Sequence, residues 1–151
     1  MVTRLELSWD AVETACRVLS VAPAIAATSW VGVLAVGHGG VVPAELVAKR
    51  LHLPVHEPAI IIESYDSATN EKIGEPRVLG PAPKLPVSGA RWLVIDDLVD
   101  SGATMRLISR LYPSAHRAVL YAKPNGRSSV HSLAYSVAQG TWLSFPWECS
   151  L

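Results

Sequence analysis

Neither sign of charge is in excess in this chain: thirteen Lys and Arg balance thirteen Asp and Glu, for a formal net charge of zero. A broad nucleic-acid surface needs clustered positive charge, so that class is excluded as the main activity. Cysteine is scarce as well. Cys16 and Cys149 are too few and too far apart to frame a disulfide scaffold, and they fit no zinc spacing, so a reducing, cytoplasmic setting is the default. Peripheral contact with a membrane stays open. Internal repeats and low-complexity tracts are missing. No charged residue occurs between Arg17 and His38, yet Ser20, Pro23, Thr28, Ser29 and Gly32 break that stretch. It divides into a helix end, a loop and a strand over Trp30 to Val36, so no integral membrane segment is expected, and no secretory leader pattern precedes it. Two nucleotide-binding signatures are also lacking, G-x-x-x-x-G-K-[ST] and G-x-G-x-x-G, which sets aside P-loop and Rossmann sites. The 151 residues suffice for one domain with a proper core.

What is present centres on Arg91 to Thr104, RWLVIDDLVDSGAT. Trp92 to Ile95 reads as a strand buried on both faces of a parallel sheet. Asp96 and Asp97 follow, then Asp100, then Ser101, Gly102, Ala103 and Thr104 opening a helix. Two hydroxyls, a glycine and the N–H groups of a helix start favour phosphate. Three acids beside a phosphate make electrostatic sense if Asp96 and Asp97 hold sugar hydroxyls or a Mg²⁺ that the same ligand coordinates. The implied ligand is a phosphorylated sugar carrying a metal.

Elsewhere, Ser8 reads as the N-cap of an amphipathic helix to about Val21, with Val12, Ala15, Cys16 and Leu19 on its apolar face, and Thr3 to Ser8 as an edge strand or arm. The Trp30 to Val36 strand runs into Gly37-His38-Gly39-Gly40, where a glycine turn lets the backbone approach an anion, and Pro43 suits the start of the next helix. Val55 to Glu63 reads as a strand ending at Ser64-Tyr65. From Asp66 to Ser88 the chain is polar and rich in proline and glycine, with Val78-Leu79 its only strand-like pair, which suggests a lid loop. A helix with Met105, Ile108 and Leu111 or Tyr112 at core spacing ends at Pro113, and Arg117 to Ala122 reads as a strand leading to Lys123.

VIDDLVDSGAT resembles the phosphoribosyl pyrophosphate (PRPP) motif of the type I phosphoribosyltransferases, most of all their bacterial xanthine-guanine branch. The resemblance implies an α/β fold: a central, mainly parallel sheet flanked by helices, with a small hood and a mobile loop, the whole of 1–151 forming one domain with a lid at 66–88 and a base-pocket tail at 139–151. It implies that a 6-oxopurine base (guanine, xanthine or hypoxanthine) and PRPP with Mg²⁺ become a nucleoside 5′-monophosphate and pyrophosphate. Asp96, Asp97, Asp100, Ser101, Gly102, Ala103 and Thr104 would bind PRPP, Asp97 and Asp96 would face the metal, and Asp100 would be the catalytic carboxylate. Gly37, His38, Gly39 and Gly40 match the pyrophosphate loop, with a cis peptide implied between Gly37 and His38. His38 stands where the relatives carry arginine, a weaker set of donors for an anion. Ser64 and Tyr65 match the start of the mobile loop. Ala122-Lys123-Pro124 matches a step whose lysine donates to the purine 6-oxygen. Thr141-Trp142-Leu143 and Pro146-Trp147-Glu148 match base-pocket steps, giving Trp142 for stacking, Leu143 through its backbone and Glu148 near the purine 2-substituent. Relatives extend by roughly a dozen residues past the place of Leu151, about one further strand, which leaves subunit contacts and the 2-position pocket open. A homodimer or homotetramer is implied. The competing readings are a non-catalytic sensor of PRPP or purine nucleotides on the same fold, and a transferase for a different base.

Overall fold

The structure is a computed structural model that describes residues 2–65 and 72–148. In chain order the elements are β1 (Thr3–Glu6), α1 (Trp9–Ser20), the short α2 (Pro23–Ala26), β2 (Gly32–Ala35), α3 (Gly37–Leu51), β3 (Ile61–Tyr65) and β4 (Lys72–Leu79). They continue with β5 (Trp92–Val99), α4 (Ala103–Leu111), β6 (His116–Ala122), β7 (Ser132–Ser136) and β8 (Thr141–Ser144).

Four strands form the central sheet in the order β2-β5-β6-β7, every pair parallel. Their apolar runs are continuous because both faces are covered. Alternation along each strand sends Val33, Ala35, Leu93, Ile95, Ala118 and Leu120 into a core shared with Val12, Ala15, Cys16 and Leu19 of α1 and Ala44 and Val47 of α3. Leu34, Val94 and Val119 point the other way, onto Met105, Ile108 and Tyr112 at α4. Tyr112 is buried while Leu111 is partly exposed, so Tyr112 takes the core place at the end of α4. Ser8 caps α1 as expected, its Oγ accepting from the Ala11 N–H at 3.1 Å. Burial raises the Cys16 thiol to about 12, so Cys16 is an inert core residue.

Three stretches differ from their sequence expectations. The strand expected from Val55 to Glu63 is divided: Val55 makes a single parallel bridge to Val33 of β2, Ile60 makes one to Val36 just past it, and β3 begins only at Ile61. Pro58, between the bridges, has no N–H to give a ladder. Next, β4 spans Lys72–Leu79, well beyond Val78-Leu79, and pairs antiparallel with β3. An exposed Arg77–Glu63 pair at 2.8 Å tightens that hairpin. Finally, α3 starts at Gly37, so Pro43 lies inside the helix.

A second, two-stranded sheet joins the two ends of the chain. β1 pairs in parallel with β8, Thr3 opposite Thr141 and Leu5 opposite Leu143, so the expected edge strand or arm is an edge strand that holds the tail. Among the described residues no helix is long and apolar enough to cross a membrane.

Candidate active site

β5 is longer than its apolar core. Its ladder with β6 continues through Asp96↔Val119, Leu98↔Tyr121 and Val99↔Ala122, because backbone pairing is indifferent to the change from apolar to acidic side chains. The chain then turns at the C-terminal edge of the parallel sheet, where ligands bind in open α/β folds. Gly102 caps α4 with φ +91°. A Cβ there would lie 3.0 Å from Ser129 Oγ and 2.7 Å from Arg106 Nη1, so both conformation and space call for glycine. Ser101 Oγ accepts from the Ala103 N–H at 3.3 Å, and Gly102 at the cap itself offers no side chain to the N–H groups that follow. The N-terminal end of α4 is thus open to an anion.

Asp96 and Asp97 sit side by side where β5 leaves the core. The Asp97 N–H donates to Asp96 Oδ1 at 2.8 Å. Desolvation, and then the neighbouring charge of Asp97, hold the Asp96 carboxyl well above the ordinary range. Asp97 is raised too, chiefly by desolvation, with the charge of Glu148 adding to it and its hydrogen bond with Asp96 opposing. A desolvated acid pair is short of positive charge. Among the described residues no group of three or more His, Cys, Asp or Glu side chains is arranged to hold a metal ion. Two carboxylates therefore fit a cation that brings most of its own oxygen ligands, as a hydrated Mg²⁺ on a phosphorylated substrate does.

These groups line one cavity of about 510 Å³. Around it stand Asp96, Asp97, Asp100 to Thr104, Lys123, Trp142, Leu143 and Glu148. Lys123 leaves β6 with its side chain buried, its N–H donating to the Val99 carbonyl at 3.0 Å and its Nζ lying 3.5 Å from Asp100 Oδ2. Trp142 is 58 % exposed, a large aromatic face left uncovered at the cavity wall, whereas the next residue in β8, Leu143, is buried. Glu148 Oε2 accepts from the Phe145 N–H at 3.0 Å, and Phe145 stacks on Trp147 with centroids 4.8 Å apart. That stack braces the tail.

The glycine turn is placed differently. Gly37 to Gly40 do not line the cavity. Gly39 instead backs directly onto the Asp97 carboxylate, where a Cβ would collide, and Gly40 lies against the Ile95 carbonyl. His38 is exposed. The implied cis peptide between Gly37 and His38 is not found; among the described residues the cis bond is Glu57–Pro58. Gly37 adopts φ +60° instead, which turns the chain from β2 directly into α3, and the Gly40 N–H already bonds the Val36 carbonyl at 3.0 Å. Ser64 and Tyr65 are the last two residues of β3. The middle of the expected lid, 66–71, falls outside the described residues, while Gly74 and Pro76 of β4 reach the cavity.

Sequence reasoning did not single out Gln139, Asn125 or Phe145, all of which line the cavity. Phe145 lies between the two matched tail steps and could have been found there. Gln139 carries no motif, and its partner Asp100 is 39 residues away.

This architecture defines a class: a parallel α/β sheet whose central strand delivers an acid pair and an anion-binding turn into a cavity with a lysine and an exposed indole. The chain belongs to the phosphoribosyltransferase family, whose phosphoribosyl transferase domain matches residues 8–151. It is similar to the xanthine-guanine phosphoribosyltransferase of Nitratidesulfovibrio vulgaris, 38% identical over 147 residues, 97% of this chain and 83% of that protein. The enzyme of the same description from Desulfotalea psychrophila is 42% identical over 117 residues, 78% of this chain and 69% of the other. In fold it resembles a purine phosphoribosyltransferase from Pyrococcus horikoshii, TM-score 0.73 at 22% identity, covering 95% of this chain and 93% of that one. A hypothetical protein from Neisseria gonorrhoeae, solved with bound ppGpp, gives TM-score 0.76 at 23% identity over 99% of this chain and 91% of the other.

Proposed function

We propose that the chain is a purine-salvage phosphoribosyltransferase that joins a 6-oxopurine to the ribosyl phosphate of PRPP and releases pyrophosphate. One observation carries the reading: Asp100 and Lys123 stand 3.5 Å apart, beside the exposed Trp142, in the cavity that also holds the anion-binding turn. The O6 and N7 atoms of a 6-oxopurine are neighbours on one edge of the base. Lys123 donating to O6 places N7 against Asp100, and the indole supplies a flat face for the ring. Adenine would set its 6-amino donor against the ammonium and be rejected.

In this reading the 5′-phosphate lies on Ser101, Gly102, Ala103 and Thr104 at the start of α4, and the ribose hydroxyls meet Asp96 and Asp97. Asp96 and Asp97 would hold a Mg²⁺ that came with PRPP, and bound there the ion would supply positive charge against the pyrophosphate and the desolvated acid pair. The bond from C1 of the ribose to pyrophosphate breaks while N9 of the purine attacks that carbon; the pyrophosphate leaves with the bonding electrons. The ionised Asp100 steadies the cationic ribose as that charge develops, and takes the proton from N7 once N9 has bonded to the ribose carbon. Gly37, His38, Gly39 and Gly40 would meet the departing pyrophosphate from behind Asp97, through His38 and Gly39 more than through the Gly37 and Gly40 amides, which already bond the Ile60 and Val36 carbonyls, and His38 lacks the forked donor of an arginine. The hairpin from Ser64 and Tyr65 through β4 closes over the ribose and excludes water. Leu143 presents its backbone to the base, and Glu148 faces the purine 2-substituent. The whole chain acts as one catalytic domain, with 66–88 as lid and 139–151 as base-pocket tail. Assembly as a homodimer or homotetramer accompanies the reading, and sedimentation of the purified chain tests it.

The activity is tested by incubating the protein with PRPP, Mg²⁺ and, in parallel, guanine, xanthine, hypoxanthine, adenine, orotate and uracil. Nucleotide is expected from the 6-oxopurines alone. Turnover of adenine, orotate or uracil in their place would assign another base, and PRPP binding without any turnover would make the chain a sensor.

A further inference from the structure

Asp100 is the first residue past β5, and its side chain is 60 % exposed. A carboxylate on such a turn has several rotamers open to it, yet a proton acceptor works only when aimed at the proton it takes. The aiming comes from across the cavity. Gln139 Nε2 donates to Asp100 Oδ1 at 2.6 Å. The sense of that amide is fixed from its other side, where Gln139 Oε1 accepts from the Asn125 N–H at 2.9 Å. A backbone N–H cannot accept, so Oε1 belongs there and Nε2 must face Asp100. The two oxygens of Asp100 thereby become distinct: Oδ1 is engaged by Gln139, and Oδ2 lies toward Lys123 at 3.5 Å.

The loop that carries Gln139 is itself anchored. The Val137 N–H donates to the Ala122 carbonyl at 3.0 Å, and the Gly140 carbonyl accepts from Thr3 N–H at 3.3 Å. Two residues beyond Gln139 the chain enters β8, which presents Trp142. One side chain therefore ties the turn after β5, the turn after Lys123 and the strand that presents the indole.

We infer that Gln139 is a positioning residue for Asp100: its amide turns the carboxylate so that one oxygen meets the purine N7 while the base lies on Trp142. This rests on the reaction proposed above. The test compares kcat and KM, with the fastest-turning 6-oxopurine and saturating Mg²⁺, for the wild type, Gln139→Glu, Gln139→Leu, Asp100→Asn and the double variant Asp100→Asn/Gln139→Glu. Gln139→Glu keeps shape and the acceptor for Asn125 but opposes one carboxylate with another. Both single Gln139 variants are expected to lose about tenfold to a hundredfold in kcat, with KM for PRPP within about twofold and melting temperature nearly unchanged. In the Asp100→Asn background, Gln139→Glu is expected to cost less than about twofold, since nothing is left to aim. Gln139 variants with wild-type kcat beside an impaired Asp100→Asn would overturn the positioning role alone, as would losses that simply multiply in the double variant. A wild type inactive on every 6-oxopurine would instead overturn the proposed reaction, and the role of Gln139 with it.

Discussion

Asp96 keeps its place against its own stability. Its folded carboxyl is raised by desolvation and by the charge of Asp97, so the native chain binds the proton more tightly than the unfolded one. Stability from this group is present below the ordinary carboxylate range and is lost as pH rises through the folded value. At neutral pH the pair therefore strains the ligand-free protein. Asp96→Asn removes the charge and keeps the oxygen that accepts from the Asp97 N–H. Calorimetry without ligand is expected to show a melting temperature higher by roughly 2–4 °C for each kcal/mol recovered, while titration with PRPP and Mg²⁺ shows binding weakened at least about tenfold, one factor of ten being about 1.4 kcal/mol. A lower melting temperature in the variant would contradict the strain. The acid pair was legible in the sequence because three carboxylates beside an anion-binding turn demand a reason. Gln139 was not, because a neutral amide shows its use only once folding has brought 39 residues of separation down to a hydrogen bond.

At the scale of elements, periodicity found the buried parts and missed the ends. Trp92 to Ile95 were legible as a buried strand from their apolar run, but the ladder of β5 carries on to Val99 through residues whose polarity hides them. The start of α3 was obscured by Gly39 and Gly40, poor helix formers that lie in the first turn packed against the Asp97 carboxylate and the Ile95 carbonyl. β4 was concealed by Gly74 and Pro76, and it exists because β3 offers it a partner. Gly102 shows the opposite, a local requirement that the sequence does reveal. Gly102→Ala would force a side chain into φ +91° and against Ser129, which is buried and cannot yield as the exposed Arg106 can. Unfolding in urea is expected to show about 1–3 kcal/mol less stability, and KM for PRPP to rise as the start of α4 shifts. An unchanged urea midpoint together with an unchanged KM would mean that the turn accommodates a Cβ.

For the molecule as a whole, the parallel sheet separates two kinds of chemistry. Ligand groups collect at the C-terminal edge, and at the opposite edge the starts of β6 and β7 bring together two imidazoles that no motif announced. The His116 and His131 rings lie with centroids 4.9 Å apart, Trp30 packs edge-on to His116 at 5.2 Å, and His116 Nε2 meets Ser132 Oγ at 2.7 Å. The Arg117 N–H donates to His131 Nδ1 at 2.9 Å, which requires that nitrogen to be unprotonated. Burial first, then the charges of His131 and Arg117, lower His116 to about 4, and burial with Arg117 lowers His131 as well. The unfolded chain therefore binds protons here that the folded chain refuses, between the ordinary histidine value and about 4. Stability from the pair is intact above that window and falls as pH falls through it. The acid pair at the other edge acts in the opposite sense, so the comparison must be made within one site. Melting curves from pH 7.5 to 4.5 are expected to fall more steeply for the wild type than for His116→Gln, which keeps a hydrogen-bonding group near Ser132 but takes up no proton, by about 5 °C at the acid end. Because the histidines sit at the edge away from the cavity, turnover at pH 7.5 should be the same for both proteins. Parallel melting curves would show that the imidazoles escape into water before they charge.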